Sequence, residues 1–135
     1  MYGIAVTCGR GKGQLRLSNR YVCLAGPNLT LVGNQPPAYL APNAGVADIA
    51  LRVAGQGPGE HLQVTLTAPD GAVAFSGNSL EGEDHMTLDL RAELAQERAP
   101  WVLELTAVVE DISVDLHGCE PRLATHPGRL LVPAD

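Results

Sequence analysis

The chain has 135 residues, 45% hydrophobic and 18% charged, which is typical of one folded domain and unlike a disordered segment. Its net charge of −6 disfavours nucleic acid and anionic membranes as partners, and no apolar run reaches the ~18 residues that a membrane span requires. Only 4% of the residues are aromatic, so the core must be aliphatic. The N-terminus lacks the pattern of a signal peptide, which indicates either a cytoplasmic protein or an excised, extracellular part of a longer chain.

The positive charge is concentrated near the N-terminus. Four basic residues and no acidic residue precede Asp48, so residues 1–47 carry +4 and the remainder −10. These four are Arg10, Lys12, Arg16 and Arg20. We predict a single domain over 1–135, in which residues 1–20 either join the domain or form an arm that packs on an acidic surface of the same or a neighbouring chain.

Residues 9–13 alternate glycine with Arg10 and Lys12 between two predicted strands. Successive backbone N–H groups in such a loop can cradle an anion, and the two cations can pair with phosphate or carboxylate. Because Lys12 is not followed by Ser or Thr, the segment is not a Walker motif. Arg10 and Lys12 are therefore predicted ligand-binding residues, and a mobile turn is the alternative.

Period-two alternation of apolar residues recurs along the whole chain and indicates strands with one buried face. Its clearest example is a hairpin in which residues 62–67 and 72–76 flank the turn sequence Ala-Pro-Asp-Gly at 68–71. The other predicted strands are residues 2–8, 14–17, 21–25, 29–32, 39–40, 46–54, 86–90, 101–107, 112–116 and 130–132. Residues 77–84 and 118–128 are predicted loops. Only 91–98 has helix-forming composition, so at most one short helix is expected there.

Ten or so short strands with regular turn signals predict an all-β fold, an antiparallel β-sandwich of jelly-roll or immunoglobulin-like type. Each sheet has one apolar face, and two such faces packed together remove both from water. A closed barrel is the alternative.

Glu81, Glu83 and Asp84 place three carboxylates in one loop beside His85. Calcium selects oxygen-rich loops of this kind, so the three acids are predicted ligands of a structural Ca²⁺ ion. EF-hand spacing is absent, and a solvated acidic loop is the alternative.

Trp101 follows Pro100 at the start of a strand. An exposed indole could stack on a sugar ring, whereas a buried one would anchor the core. The scarcity of aromatic residues favours the core position, and Trp101 is the predicted ligand-binding residue if its ring is exposed.

The cysteines fit no CxxC framework, and small buried side chains are the simplest interpretation. Cys8 and Cys23 could form a disulfide. His117, Cys119 and His126 could supply zinc ligands or a catalytic Cys–His pair. The sequence offers no third residue that would orient the histidine as a general base, so no catalytic residue is assigned.

Over roughly residues 40–133 the chain resembles the galactose-binding-like and pre-peptidase C-terminal accessory modules of secreted bacterial hydrolases. The resemblance rests on the order of four segments: the TLTAPDG turn, the Pro-Trp strand, SVDLHG and PGRLLVP. The resemblance implies a non-catalytic module that binds carbohydrate or a neighbouring domain. One alternative is a structural jelly-roll protein that forms homo-oligomers through edge strands and the basic arm. The other is a small β-barrel enzyme that uses an acid such as Glu104 or Asp115.

Overall fold

The computed structural model describes residues 21–26, 29–93, 99–119 and 122–130. This part of the chain contains ten β-strands, two single-turn 3₁₀ helices (Ser79–Glu81 and Pro127–Arg129) and no α-helix. The strands are β1 (Cys23–Ala25), β2 (Leu29–Val32), β3 (Ala38–Leu40), β4 (Asp48–Gly55), β5 (Gln63–Thr67), β6 (Val73–Asn78), β7 (Thr87–Glu93), β8 (Trp101–Thr106), β9 (Asp111–His117) and β10 (Arg122–Ala124).

The strands form a six-stranded sheet in the order β1-β10-β3-β8-β5-β6 and a four-stranded sheet in the order β2-β9-β4-β7. All pairs are antiparallel, and the chain is a series of nested pairs: β5 with β6, β4 with β7, β3 with β8, β2 with β9, and β1 with β10. Successive pairs lie alternately in the two sheets, as in a long hairpin that has been rolled up. This topology is a jelly roll, so the predicted β-sandwich is confirmed and the closed-barrel alternative does not apply.

The core lies between the two sheets and is aliphatic, as the composition predicts. Alternate residues of the central strands point inward, and burying one such side chain contributes about 1.5–3 kcal/mol. The fully buried set includes Ile49, Leu51, Val53, Val64, Leu66, Leu103, Leu105, Ile112 and Val114.

Three sequence predictions are wrong where pairing with neighbouring strands outweighs local signals. Residues 77–78, predicted as the start of a loop, extend β6 and pair with Val64 and Gln63 of β5. Residues 122–124, predicted as loop, form β10 between β1 and β3, because Leu123 packs in the core and the neighbours supply the hydrogen bonds. Residues 91–93, predicted as the start of a helix, continue β7 against β4, which shows that cross-strand pairing overrides helix propensity.

Several other predictions concern residues outside the described part of the chain. These are the strands at 2–8 and 14–17, the arm at 1–20, and residues 94–98 of the predicted helix. Of the predicted closing strand at 130–132, only Leu130 is described, and it ends the second 3₁₀ helix.

Four loops meet at one end of the sandwich and are joined by hydrogen bonds. They connect β2 to β3, β4 to β5, β6 to β7, and β8 to β9. Ser79, which is completely buried, donates from its backbone N–H to the Leu62 carbonyl and accepts at Oγ from the Leu62 N–H at 3.1 Å. The Asn34 side chain accepts from the Val108 N–H, and the Val109 N–H donates to the His61 carbonyl. The Ser79–Leu62 pair therefore joins the loop after β4 to the loop after β6.

Replacing Ser79 with alanine leaves the buried N–H of Leu62 without its acceptor. We expect Ser79→Ala to reduce the free energy of unfolding by about 1–3 kcal/mol. Ser76→Ala, at an exposed position on β6, is the matched control and should change stability by less than about 0.5 kcal/mol. Urea unfolding of the two variants and the wild type measures the difference. Equal midpoints for the variants would show that the pair does not stabilise this end.

Candidate functional site

The outer faces of the two sheets differ in chemistry. On the four-stranded sheet, Arg52 lies in register between Asp89 and Asp115, with its Nε 3.8 Å from an Asp89 carboxylate oxygen. Arg91 donates to Asp48 on the same face, with its Nε 2.9 Å from Oδ2. This face therefore carries charged side chains of both signs, which partly neutralise each other.

The outer face of the six-stranded sheet carries mainly uncharged polar groups on β5, β6 and β8. One cross-strand row places Thr65 between Ser76 and Glu104. The next row places Gln63 between Asn78 and Thr106. We call these side chains the polar patch: Gln63, Thr65, Ser76, Asn78, Glu104 and Thr106.

The polar patch consists of hydroxyl and amide groups with a single carboxylate. Ser76 Oγ lies 3.4 Å from Gln63 Nε2 and 3.5 Å from Thr65 Oγ1, distances at the long end for hydrogen bonds. Asn78 Oδ1 is already used, because it accepts from the Leu80 N–H at 2.9 Å. The Gln63, Thr65 and Ser76 side chains keep much of their donor and acceptor capacity for another molecule.

A less polar row borders the polar patch on the same face. Thr67 is in register with Val102, and Val102 with Tyr39 on β3. Tyr39 and Val102 are half-buried. The face thus places hydroxyl and amide groups beside an aliphatic side chain and an aromatic ring.

Of the predicted ligand-binding residues, Trp101 lies in the core. It is 4% exposed and faces the opposite sheet from the first position of β8, in register with Leu40. The favoured core position is therefore confirmed and the exposed stacking ring is not, because an inward position on a central strand removes the indole from solvent. Arg10 and Lys12 lie outside the described residues, so their predicted roles stay predictions.

The acidic loop uses Asp84 to hold its own backbone. The Asp84 carboxylate accepts from the N–H groups of Met86 and Thr87, at 2.9 and 2.6 Å, and from the Thr87 hydroxyl at 2.6 Å. Glu81 and Glu83 are exposed. Among the described residues, no three His, Cys, Asp or Glu side chains are grouped as metal ligands, and calcium binding stays a prediction.

The predicted zinc ligands are not brought together. Cys119 is buried with its Sγ 3.9 Å from the His117 carbonyl oxygen, whereas the His117 side chain is exposed. His126 Nδ1 accepts from the Gly128 N–H, and its ring contacts Tyr21 edge-on at 4.7 Å. Cys23 is a free thiol, and its suggested partner Cys8 lies outside the described residues.

The two acids considered for an enzyme lie on opposite surfaces of the sandwich. Glu104 belongs to the polar patch, whereas Asp115 faces outward beside Arg52 on the other sheet. They cannot act on one bond, because both sheets separate them.

Most residues of the polar patch were not predicted from the sequence. Its members occupy the outward positions of strands that the alternation had located, so their face was predictable. Their grouping depends on β5 pairing with both β6 and β8, and β8 lies more than 30 residues further along the chain.

Comparison with known proteins gave no match: no family model, no curated protein and no solved structure matches the chain. The resemblance to hydrolase accessory modules therefore stays a hypothesis. In the described part of the chain, no helix is long and apolar enough to cross a membrane.

The hydrogen bonds of Asp84 predict a pH dependence of stability. The Thr87 hydroxyl and the N–H groups of Met86 and Thr87 lower the pKa of Asp84 from 3.8 to about 2. Since the folded-state pKa is below the unfolded value, the stabilisation is complete above about pH 4 and is lost as the pH falls through about 2. Asp84→Asn should therefore lower the melting temperature at neutral pH and flatten its decline between these values.

Thermal unfolding followed by circular dichroism across this acidic range measures the effect. Glu83→Gln, which removes a neighbouring carboxylate, is the control and should retain the wild-type profile. If the melting temperature of Asp84→Asn falls with pH as steeply as that of the wild type, other groups cause the acid destabilisation.

Proposed function

We propose that this protein is a non-catalytic binding module that recognises carbohydrate through the polar patch. The observation that carries the proposal is the concentration of hydroxyl and amide side chains on three adjacent strands, on a molecule whose other outer face is charged. A jelly roll is an architecture of lectin domains as well as capsid proteins. Because fold does not imply function, the proposal depends on the chemistry of the patch.

The polar patch suits a ligand with many hydroxyl groups. Hydroxyl and amide side chains both donate and accept hydrogen bonds, which matches the dual character of sugar hydroxyls. Side chains in one row are about 5 Å apart across the strands, and the two rows are about 7 Å apart along them. A flat array with this spacing can contact successive parts of an extended chain.

The apolar border supplies the second element of sugar recognition. Val102 and Tyr39 lie in the row next to Thr65 and Glu104. Aromatic and aliphatic groups contact the C–H surface of a sugar ring, while the tyrosine hydroxyl can still form a hydrogen bond. With Trp101 buried, Tyr39 replaces it as the proposed aromatic contact.

Charge favours neutral glycans. Glu104 is the sole charged side chain among the six patch residues, and no basic residue belongs to them. A polyanionic glycan would meet this carboxylate and a net charge of −6 without a compensating cation from the patch. We therefore expect uncharged polysaccharides to bind and sulfated or uronic-acid chains to be excluded.

The proposal is tested by affinity electrophoresis of the full chain through gels that contain single polysaccharides. We expect retardation by at least one neutral polysaccharide. Thr65→Arg places a bulky cation at the centre of the patch and should weaken binding by about tenfold or more, since central contacts dominate binding energy.

Ser113→Arg is the matched control, because it introduces the same side chain on an internal strand of the opposite outer face. It should bind as the wild type does. Both variants must show the wild-type circular dichroism spectrum. Failure of the wild type to bind any polysaccharide, or equal binding by the two variants, would contradict the proposal.

A further inference from the structure

The edge strand β2 is the least protected of the four sheet edges in the described part of the chain. β7 carries three charged residues, β6 has an irregularity in its pairing with β5, and β1 has three residues. β2 has the sequence Leu-Thr-Leu-Val, with neither charge nor proline, and pairs with β9 in continuous register. Proteins normally cover an uncharged, regular edge of this kind with another segment.

The main-chain hydrogen-bonding groups of Thr30 and Val32 point to the open side of β2. The Gly33 N–H donates to the Glu110 carbonyl at 3.1 Å, so the groups of Gly33, and of Leu31 two residues earlier, face β9. Those of Thr30 and Val32 alternate with them and face away. A covering strand would therefore pair with these two residues.

The order of the strands follows one rule in both sheets. The later strand of each nested pair lies against the earlier strand of the next pair inward in the same sheet. Thus β10 lies against β3, β9 against β4, and β8 against β5. Because the pairs alternate between the sheets and β1 with β10 lies in the six-stranded sheet, a further pair belongs to the four-stranded sheet. Its later strand, which follows β10 in the sequence, would lie against β2.

The chain leaves β10 near the end of β2. β3 follows β2 across the sandwich and β10 is antiparallel to β3, so β10 and β2 end at the same end of the molecule. Thr125, directly after β10, lines an apolar cleft of about 30 Å³ together with Leu31, Gln35 and Pro36. Gln35 Nε2 donates to the Val32 carbonyl at 2.8 Å, which leaves that oxygen a second lone pair. A segment that returned from this point along β2 would run antiparallel to it.

The sequence after the described part has the length and the apolar character that this edge requires. Leu130 ends the second 3₁₀ helix, and residues 131–135 read Leu-Val-Pro-Ala-Asp. Five residues are enough to pair with the four of β2. Val32 is 66% exposed, and Leu24, which lines the same cleft, is 40% exposed. Apolar side chains beside them would shield both from water.

We propose that the open edge of β2 is the docking site of residues 131–135 of the same chain, which add an antiparallel edge strand to the four-stranded sheet. Attachment to β10 holds this segment beside the edge at a high effective concentration. A second copy has no such tether, and a net charge of −6 on each chain opposes its approach. Pro133 is compatible with the outermost strand of a sheet, where a residue without an N–H group is tolerated.

Amide hydrogen exchange of the full chain, measured by NMR, tests the inference at single residues. The Gly55 N–H donates to the Met86 carbonyl, so the amide of Asp89 faces the open side of β7 and serves as the reference for an unpaired edge. We expect the amides of Thr30 and Val32 to exchange about tenfold more slowly than this reference, or slower still. Their protection should not depend on protein concentration, because docking within one chain is unimolecular.

The double variant Leu131→Asp with Val132→Asp tests the occupant. One of two successive strand residues faces the core, so one carboxylate would be buried and docking would be lost. Exchange at Thr30 and Val32 should then reach the rate of the β7 reference, while the Leu31 amide, which faces β9, keeps its protection. The matched control is Leu131→Val with Val132→Ile, which stays apolar and should exchange as the wild type does.

Fast exchange at Thr30 and Val32 in the wild type would overturn the proposal. So would protection that the double aspartate variant retains, equal loss of protection in both variants, or protection that increases with protein concentration. Wild-type circular dichroism spectra establish that the variants fold. The polar patch lies on the other sheet, so these results and those of the glycan-binding test are separate.

Discussion

The packing of two apolar sheet faces against each other is the interaction on which this structure depends. Neither sheet could persist alone in water, because each exposes an aliphatic surface on one side. With few aromatic residues, the interface is formed by leucine, valine and isoleucine, whose shapes must interdigitate closely. Trp101 contributes its area to this interface, and for that reason it is unavailable to a ligand.

The nested pairing places the hairpin of β5 and β6 at the centre of the topology. Its two strands are joined by a tight turn, in which the Gly71 N–H donates to the Ala68 carbonyl and Asp70 accepts from Ala72. Every other nested pair encloses this hairpin in sequence, so loop length increases from the innermost pair to the outermost. Closure entropy therefore favours formation of the pairs from the centre outward.

The same topology separates the chemical properties of the surface. Successive nested pairs alternate between the sheets, so strands that follow each other in the sequence often lie in different sheets. Their outward side chains then lie on opposite faces of the sandwich. The Thr, Ser, Gln and Asn side chains of β5, β6 and β8 meet on one face, while the Asp and Arg side chains of β4, β7 and β9 meet on the other. The two outer faces of the sandwich therefore differ in chemistry, one carrying mainly hydroxyl and amide groups and the other charged groups.

The sequence by itself determined the fold class and most strand positions, since the period-two pattern of Leu62, Val64 and Leu66 has only one compatible local structure. It also located the turns, because Pro69 and Gly71 have restricted or special backbone conformations. Tertiary structure alone decided which strands are neighbours, that residues 122–124 form a strand, and that residues 91–93 extend β7. These outcomes depend on hydrogen bonds between residues far apart in sequence, and local propensity contains no information about such partners. The polar patch arises in the same way, because Thr65 and Glu104 become neighbours only when β5 and β8 pair.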